Sequence, residues 1–167
     1  MPDLAWWLQN FQRSAFRLET LPVYSVPQEE AWFAEWQRSG QLPELTPAND
    51  SWLRLVQEAC RAGKRMQRVH VVTPPLSDYL RFEFTTQIPS VDCGEDCRIA
   101  EASHVQQAVG QLSDYWLMDE TVAIRLHYDD EGRFLGMEQV EDVVLYRRQR
   151  DLVLTRSVTL KEYLARL

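Results

Sequence analysis

The densest run of β-branched residues is Val69–Val72, and Pro74-Pro75 follows it directly. β-Branched side chains favour strands, and proline ends a strand because it has no N–H to donate. After the prolines, Leu76, Tyr79 and Leu80 recur at helical spacing. The pattern predicts a buried strand that leads through a tight turn into a helix. Open α/β sheets usually bind ligands at the carboxyl ends of their strands, so this turn is the first place to look for a site.

Three helices are predicted before this strand. The first covers residues 5–18, where apolar residues recur every three or four positions, and the second covers residues 28–38 with Gly40 as its stop. The third begins at a cap in Asn49-Asp50 and ends at Gly63. Between the first two helices, residues 21–26 are flanked by prolines, which limits them to an edge strand or an irregular connection.

The segment after the central strand and its helix is predicted to be irregular. Pro89 and Gly94 lie in a polar interval from Thr85 to Asp96, which indicates a turn and loop. A short strand is expected at residues 97–100, and one or two helical turns at residues 104–112. The helix after Pro75 is therefore expected to be short.

The pattern changes to strands near the C-terminus. Residues 115–118, 122–128 and 134–140 have strand patterns, and a turn ending at Gly132 joins the last two as a hairpin. A helix is expected at residues 142–155. Thr159 and Glu162 match a capping box that starts a terminal helix. The predicted fold is α/β (α+β): one domain over residues 1–167, with a single mixed sheet of about five strands, packed helices, a C-terminal hairpin and closing helices.

Composition narrows the class of protein. The chain has 167 residues, 45% of them hydrophobic, which suits one domain with a full core. Its net charge of −7 opposes general binding to nucleic acid. Basic runs at residues 61–68 and 147–150 could still contact nucleic acid locally, and this is one of three functional hypotheses. No apolar run approaches the roughly 20 residues of a membrane span, and no signal peptide is evident. We expect a cytoplasmic protein.

The cysteines and histidines form no recognisable reactive set. Cys93 and Cys97 are separated by three residues rather than the two of common redox and zinc motifs, so no metal and no cofactor are predicted. Three histidines are possible acid–base groups because imidazole titrates near neutrality, but no nucleophile pairs with them: His70, His104 and His127.

A set of charged residues on consecutive elements carries the candidate site. Arginine forks bind carboxylates or anionic ligands and suit the crevice at the end of a strand. The expected ligand-binding residues are Arg68, Asp78, Arg81, Glu95 and Arg98, and the candidate catalytic residues are Glu83 and Asp119. The alternative is a network of structural ion pairs that ties the helix to the sheet. In that alternative Arg81 is a buried structural ion, and we favour this interpretation of Arg81.

Several phrases of the sequence resemble a family of short actinobacterial proteins catalogued only as a domain of unknown function. They extend over nearly the whole chain: Phe16-Arg17-Leu18-Glu19, Arg68-Val69-His70-Val71-Val72, Pro75-Leu76-Ser77-Asp78-Tyr79, Arg81-Phe82-Glu83, Gly94-Glu95 and Asp114-Tyr115-Trp116-Leu117-Met118-Asp119. The resemblance implies no reaction and no catalytic residues. Relatives are often encoded near helix-turn-helix regulators, which implies a partner or sensor role. The chain departs from the family at residues 85–91, where Pro89 is expected to shorten the helix.

Two functions from different classes follow. The first is a cytoplasmic, non-enzymatic binding protein of a bacterial regulatory module, whose partner is a protein such as a helix-turn-helix regulator. Surplus aromatic residues, Trp6 above all, would form its partner surface. The alternative is an enzyme acting on an anionic or phosphorylated small molecule. In that enzyme Arg68, Arg81 and Arg98 would clamp the anion, and Glu83 or Asp119 would supply acid–base catalysis.

Overall fold

One mixed sheet of seven strands organises the structure, a computed structural model that describes residues 1–167. The strands follow the order β6-β5-β4-β1-β2-β3-β7 across the sheet, and β1, β2 and β3 are parallel. Their bounds are β1 Ser14–Glu19, β2 Arg65–Val72, β3 Asp96–Glu101, β4 Tyr115–Met118, β5 Val122–Tyr128, β6 Phe134–Val140 and β7 Val158–Thr159. The helices are α1 Leu4–Asn10, α2 Glu30–Ser39, α3 Ser51–Arg61, α4 Asp78–Asp92, α5 Ala102–Val109, α6 Val143–Thr155 and α7 Leu160–Leu164.

Helices cover both faces of the sheet. Phe16 and Leu18 of β1 point to one face, where they pack with Tyr146 and Val153 of α6. Ala15 points to the opposite face and packs with α3. Successive side chains of a strand point to opposite sides, so the remaining odd-numbered residues of β1 also face the layer formed by α2, α3 and α4. That second face carries the candidate site.

The helix predicted for residues 5–18 is wrong beyond Asn10. Residues 14–19 instead form β1, which pairs with β2 on one side and β4 on the other. All six residues of β1 are buried, because a central strand is covered on both faces. A fully buried strand shows no simple alternation of apolar and polar residues, and the spacing from Trp7 to Leu18 imitated a helical period. The segment at residues 21–26 forms no strand.

The loop predicted after Thr85 is also wrong, because α4 continues to Asp92 and contains Pro89. Pro89 therefore does not shorten this helix. Proline inside a helix removes one backbone hydrogen bond and costs about 3 kcal/mol. The helix nevertheless buries seven of its side chains, including Phe82 and Phe84, and this burial offsets the cost. Ser77 caps the helix by accepting a hydrogen bond from the Leu80 N–H at 3.1 Å.

Most other elements were predicted correctly. Gly40 ends α2 with φ of +70°, and Asp50 caps α3. The three C-terminal strands, the hairpin and the capping box of Thr159 are confirmed. The mixed α/β class is confirmed too, with seven strands rather than about five because β1 and the two-residue β7 were not foreseen. No helix combines the length and the apolar composition needed to cross a membrane.

Candidate functional site

A cluster of ionisable side chains lies buried between the sheet and α4. Arg17 and Glu19 come from β1, and Arg68 and His70 come from β2. The two strands are in register, so Arg17 lies beside Arg68 and Glu19 lies beside His70. All four side chains point to the same face because they occupy alternate positions. Glu83 of α4 meets them from the helix side and closes the cluster.

Both arginines are neutralised by carboxylates. Arg17 donates from Nη2 to Oδ2 of Asp114 at 2.8 Å, and its Nε lies 3.5 Å from Oε1 of Glu19. Arg68 donates from Nε to Oε1 of Glu95 at 2.9 Å and from Nη1 to Oε2 of Glu19 at 3.1 Å. The two guanidinium groups thus face three carboxylates. No unpaired cation is left in the cluster to attract an anion.

Glu19 holds a negative charge in this environment. Burial alone would raise its pKa, but Arg68, His70 and Arg17 outweigh burial and lower the pKa of Glu19 to about 2. Nε2 of His70 lies 3.0 Å from Oε2 of Glu19 and 3.0 Å from Oε1 of Gln87. Because burial lowers the pKa of His70, the imidazole is neutral near pH 7. Its Nε2 is hydrogen-bonded to Gln87, and the arginines supply the positive charge beside Glu19.

Glu83 is the opposite case. Its Oε2 is buried and has no hydrogen-bond partner. Burial first, and then the charge of Glu19, raise the pKa of Glu83 well above its ordinary value. A carboxylate oxygen of Glu83 lies within 4.8 Å of one of Glu19. The pKa values of Glu19 and Glu83 are thus shifted in opposite directions although the two carboxyl groups are neighbours. This is the arrangement expected of an acid and its ionised partner.

Two open cavities meet at this carboxyl pair. The first, of about 350 Å³, is lined by Tyr24, Tyr79 and Tyr128 together with Glu19, and we call it the tyrosine cavity. The second, of about 270 Å³, is lined by Trp32 of α2 and Trp52 of α3, and we call it the tryptophan cavity. Three residues line both cavities: Glu29, Arg68 and Glu83. Another cavity, of about 600 Å³, lies between α1 and α3 and contains none of the clustered residues.

A divalent metal ion is the other occupant that these residues could hold. Ligand atoms of Glu19, His70 and Glu83 all lie within 4.8 Å of one another. However, Oε2 of Glu19 already accepts a hydrogen bond from Arg68 and lies in hydrogen-bond distance of His70. Two buried guanidinium groups next to the same carboxylate also repel a cation. The donor set therefore fits proton transfer better than metal binding.

The structure brings together only three of the seven predicted site residues: Arg68, Glu83 and Glu95. Asp78 and Arg81 are exposed on α4, and neither makes an ion pair. The expectation that Arg81 is a buried structural ion is wrong, because it lies on the solvent side of the helix. Arg98 lies on β3 and binds Ser157 and Asp96, away from the cluster. The predicted clamp of three arginines is therefore not formed.

Asp119 has a structural role at the opposite end of β1. Its carboxylate accepts hydrogen bonds from the backbone N–H groups of residues 12, 13 and 14, at 2.6 to 3.1 Å. These bonds fix the start of the central strand. The two basic runs meet nearby, where Arg65 and Arg150 both pair with Glu120. Of the three histidines, only His70 belongs to the cluster.

Sequence reasoning missed Arg17, Glu19 and Asp114. The signal was present as Arg17 and Glu19 two positions apart, which puts both on one face of a strand. Assignment of this segment to a helix hid that signal. Asp114 contributes through Tyr24 and Thr20, which bind its two oxygens at 2.6 Å each. These contacts join loop residues that are 90 or more positions apart, so no local pattern indicates them.

Residues 2–165 match the family model of a domain of unknown function. The match spans almost the entire chain. A search of the curated proteins found no match.

Proposed function

Because the chain belongs to the family described as Domain of unknown function (DUF6879), which names no activity, we propose a function from the site itself. We propose that the protein hydrolyses a glycosidic bond in an uncharged small molecule, with retention of configuration at the anomeric carbon. One observation carries the proposal. Glu83 is a buried carboxyl without a partner, and it lies beside the ionised Glu19 where two cavities meet.

Glu83 acts as the general acid in the first step. Its raised pKa keeps a proton on the carboxyl to higher pH than in an ordinary glutamate, and this proton is available for the leaving group. Oε1 of Glu19 forms a bond to the anomeric carbon while the bond to the leaving group breaks. This oxygen has only the 3.5 Å contact with Arg17, whereas Oε2 is engaged by Arg68 and His70. The less engaged oxygen is thus the nucleophile.

Glu83 acts as the general base in the second step. Having lost its proton, it takes one from a water molecule, and the resulting hydroxide displaces Glu19 from the anomeric carbon. Retaining enzymes place their two carboxyl groups about 5 to 5.5 Å apart, and inverting enzymes place them about 6.5 to 9.5 Å apart. A carboxylate oxygen of Glu19 lies within 4.8 Å of one of Glu83. We therefore propose the retaining arrangement, and the configuration of the first product tests it.

The pairing of the arginines supports an uncharged substrate. The enzyme hypothesis from the sequence named an anionic substrate held by three arginines. Arg17 and Arg68 are both bound to carboxylates, and Glu29 adds a further acidic group to the cavities. A phosphate entering here would meet Glu19 and Glu29 without a free cation to offset them, which is unfavourable at low dielectric.

The test is hydrolysis of a panel of p-nitrophenyl glycosides and of matched alkyl glycosides. In Glu83→Gln, turnover of alkyl glycosides should fall about 10²- to 10⁴-fold, since their poor leaving group needs the proton. The first turnover of p-nitrophenyl glycosides should fall much less, because p-nitrophenolate leaves without protonation. A burst of p-nitrophenolate should therefore precede a slow steady state, since the second step still needs Glu83 as its base. Glu19→Gln should abolish turnover of both classes because the nucleophile is lost.

Glu44→Gln is the matched control, since Glu44 lies in an exposed loop and its carboxylate makes no hydrogen bond or ion pair. It should retain wild-type turnover. Proton NMR of the first product formed should show the anomeric configuration of the substrate. Absence of turnover across the panel, or equal turnover in wild type, Glu19→Gln and Glu83→Gln, would refute the proposal.

A second candidate is the regulatory partner role, in which an actinobacterial protein of this family binds a helix-turn-helix regulator. The observation in its favour is Trp6, which is 46% exposed on α1. Exposed tryptophans are enriched at protein interfaces. Affinity capture from the native host should recover one specific protein with the wild type and lose it with Trp6→Ala. Equal recovery with both would count against this surface.

A further inference from the structure

We propose that the substrate is a nucleoside, whose heteroaromatic base occupies the tryptophan cavity and whose sugar occupies the tyrosine cavity. This inference rests on the proposed function, because it assigns the two sides of the bond that Glu19 and Glu83 cleave. It goes further by naming the leaving group. The assignment comes from the different chemistry of the two cavities on either side of Glu83.

The nucleophile identifies the sugar side. Glu19 lines the tyrosine cavity and not the tryptophan cavity, so the anomeric carbon must lie on that side. The ring hydroxyls of a sugar need polar partners. Glu29 provides a carboxyl group whose pKa is raised by burial, and Gln28 lies on the same wall. Tyr79, which donates to Glu29 at 3.1 Å, presents an apolar ring next to it.

The tryptophan cavity suits a planar aromatic group. Trp32 and Trp52 line it from two different helices, and base–aromatic stacking tolerates any base because every base has a π-face. Trp52 is held in place by its Nε1–H, which donates to Ser90 at 3.2 Å, and by the Arg68 guanidinium 5.4 Å from its ring. A rigid ring loses little entropy when a ligand stacks on it.

Polar groups on the same wall can read the edge of a base. Gln87 lines the cavity, and its Oε1 is engaged with His70, while its amide nitrogen makes no hydrogen bond within the protein. That N–H₂ group is free to donate to a carbonyl oxygen or ring nitrogen of the ligand. Asp50, the residue that caps α3, lines the same cavity and offers a carboxylate acceptor. A simple alkyl leaving group would use neither the two tryptophans nor this donor and acceptor.

The reaction then breaks a carbon–nitrogen bond. Oε1 of Glu19 bonds to the anomeric carbon, and the electron pair of the broken bond stays on the base, which takes the proton of Glu83. A water molecule then gives one proton to Glu83, and its oxygen bonds to the anomeric carbon as the bond to Glu19 breaks, which releases the sugar. The balanced products are the free base and the free sugar, and no oxidant, reductant or further reactant is needed.

Two measurements test the inference, and each uses the full chain. The first is release of free base from adenosine, guanosine, cytidine and uridine, measured by liquid chromatography for wild type and Glu83→Gln. The second is the affinity for free adenine and uracil, measured by calorimetry for wild type, Trp32→Ala and Trp6→Ala. Trp6 is the control tryptophan because it lies exposed on α1, outside both cavities.

We expect base release by the wild type and its loss in Glu83→Gln. Trp32→Ala should weaken the affinity for the base roughly 10-fold, a loss within the range of base–aromatic stacking free energies. Trp6→Ala should leave the affinity unchanged. Trp32→Phe, which keeps an aromatic face, should recover most of the affinity. This recovery separates stacking from a general disturbance of α2.

The outcomes separate this inference from the proposed function. Turnover of p-nitrophenyl glycosides without base release or base binding overturns the nucleoside assignment and leaves the hydrolase. Base binding that depends on Trp32, without turnover of any glycoside, supports the ligand class and refutes the hydrolase. Equal affinities in Trp32→Ala and Trp6→Ala overturn the assignment of the tryptophan cavity.

Discussion

Replacement of Glu83 by glutamine should change how the stability of the protein depends on pH. In the unfolded chain Glu83 ionises near its ordinary pKa of 4.5, whereas in the folded protein burial and Glu19 raise that pKa well above this value. Between the two pKa values the folded state therefore binds one proton more than the unfolded state. The sign follows directly: the wild-type free energy of unfolding decreases as the pH rises through this window.

The slope fixes the magnitude. A difference of one bound proton changes the free energy of unfolding by about 1.4 kcal/mol per pH unit. Glutamine has nearly the same shape but no proton to lose, so Glu83→Gln lacks this slope. Between pH 5 and pH 7, the stability of the variant relative to wild type should increase by up to about 3 kcal/mol. Other titrating groups contribute equally to both proteins and cancel in the difference.

Urea unfolding of wild type and Glu83→Gln at half-unit steps from pH 5 to pH 8 measures this difference. Glu44→Gln, the exposed control, should give a difference near zero throughout. A difference for Glu83→Gln that stays constant with pH would show that Glu83 is not held protonated. Destabilisation of about 3 to 5 kcal/mol at every pH would show instead that Glu83 is ionised and paired. Either result refutes the assignment of Glu83 as the acid.

Three further predictions concern other parts of the chain. Glu19→Gln leaves buried arginines with an incomplete set of carboxylates, so urea unfolding at pH 7 should show a loss of about 3 to 5 kcal/mol in the free energy of unfolding. Arg81→Ala, at an exposed position, should stay within about 0.5 kcal/mol of wild type. Similar losses in both variants would contradict the buried ion-pair cluster. Gly132 and Gly40 both have positive φ, but a side chain at Gly132 would collide with the Val23 backbone, whereas one at Gly40 would meet open space. Gly132→Ala should therefore lower the melting temperature clearly more than Gly40→Ala. Thr159→Ala removes the capping box of α7 and should cost about 1 kcal/mol in the same unfolding assay, and an unchanged midpoint would show that this short helix does not depend on its cap.

The sequence alone determined those elements whose signal is local. The run at Val69–Val72 predicted the buried strand β2, and Asp50 and Thr159 marked helix starts by their capping chemistry. Strand β5 followed from its alternation of apolar and polar residues, since it lies towards the open edge of the sheet. Each of these signals acts within a few residues of the chain. Arg68, Glu83 and Glu95 entered the predicted site because they are charged residues on or next to consecutive elements, namely β2, α4 and the start of β3.

Only the tertiary structure decided the central strand and the chemistry of the site. β1 is buried on both faces, so its sequence lacks the alternation that identifies a strand, and pairing with β2 and β4 decides its conformation. That pairing places Glu19 beside His70 and Arg68. The pKa of a carboxyl depends on burial and on neighbouring charges, and both arise only when distant segments meet. Two glutamates that look alike in the sequence therefore differ in the folded protein, where the pKa of Glu19 is lowered and the pKa of Glu83 is raised.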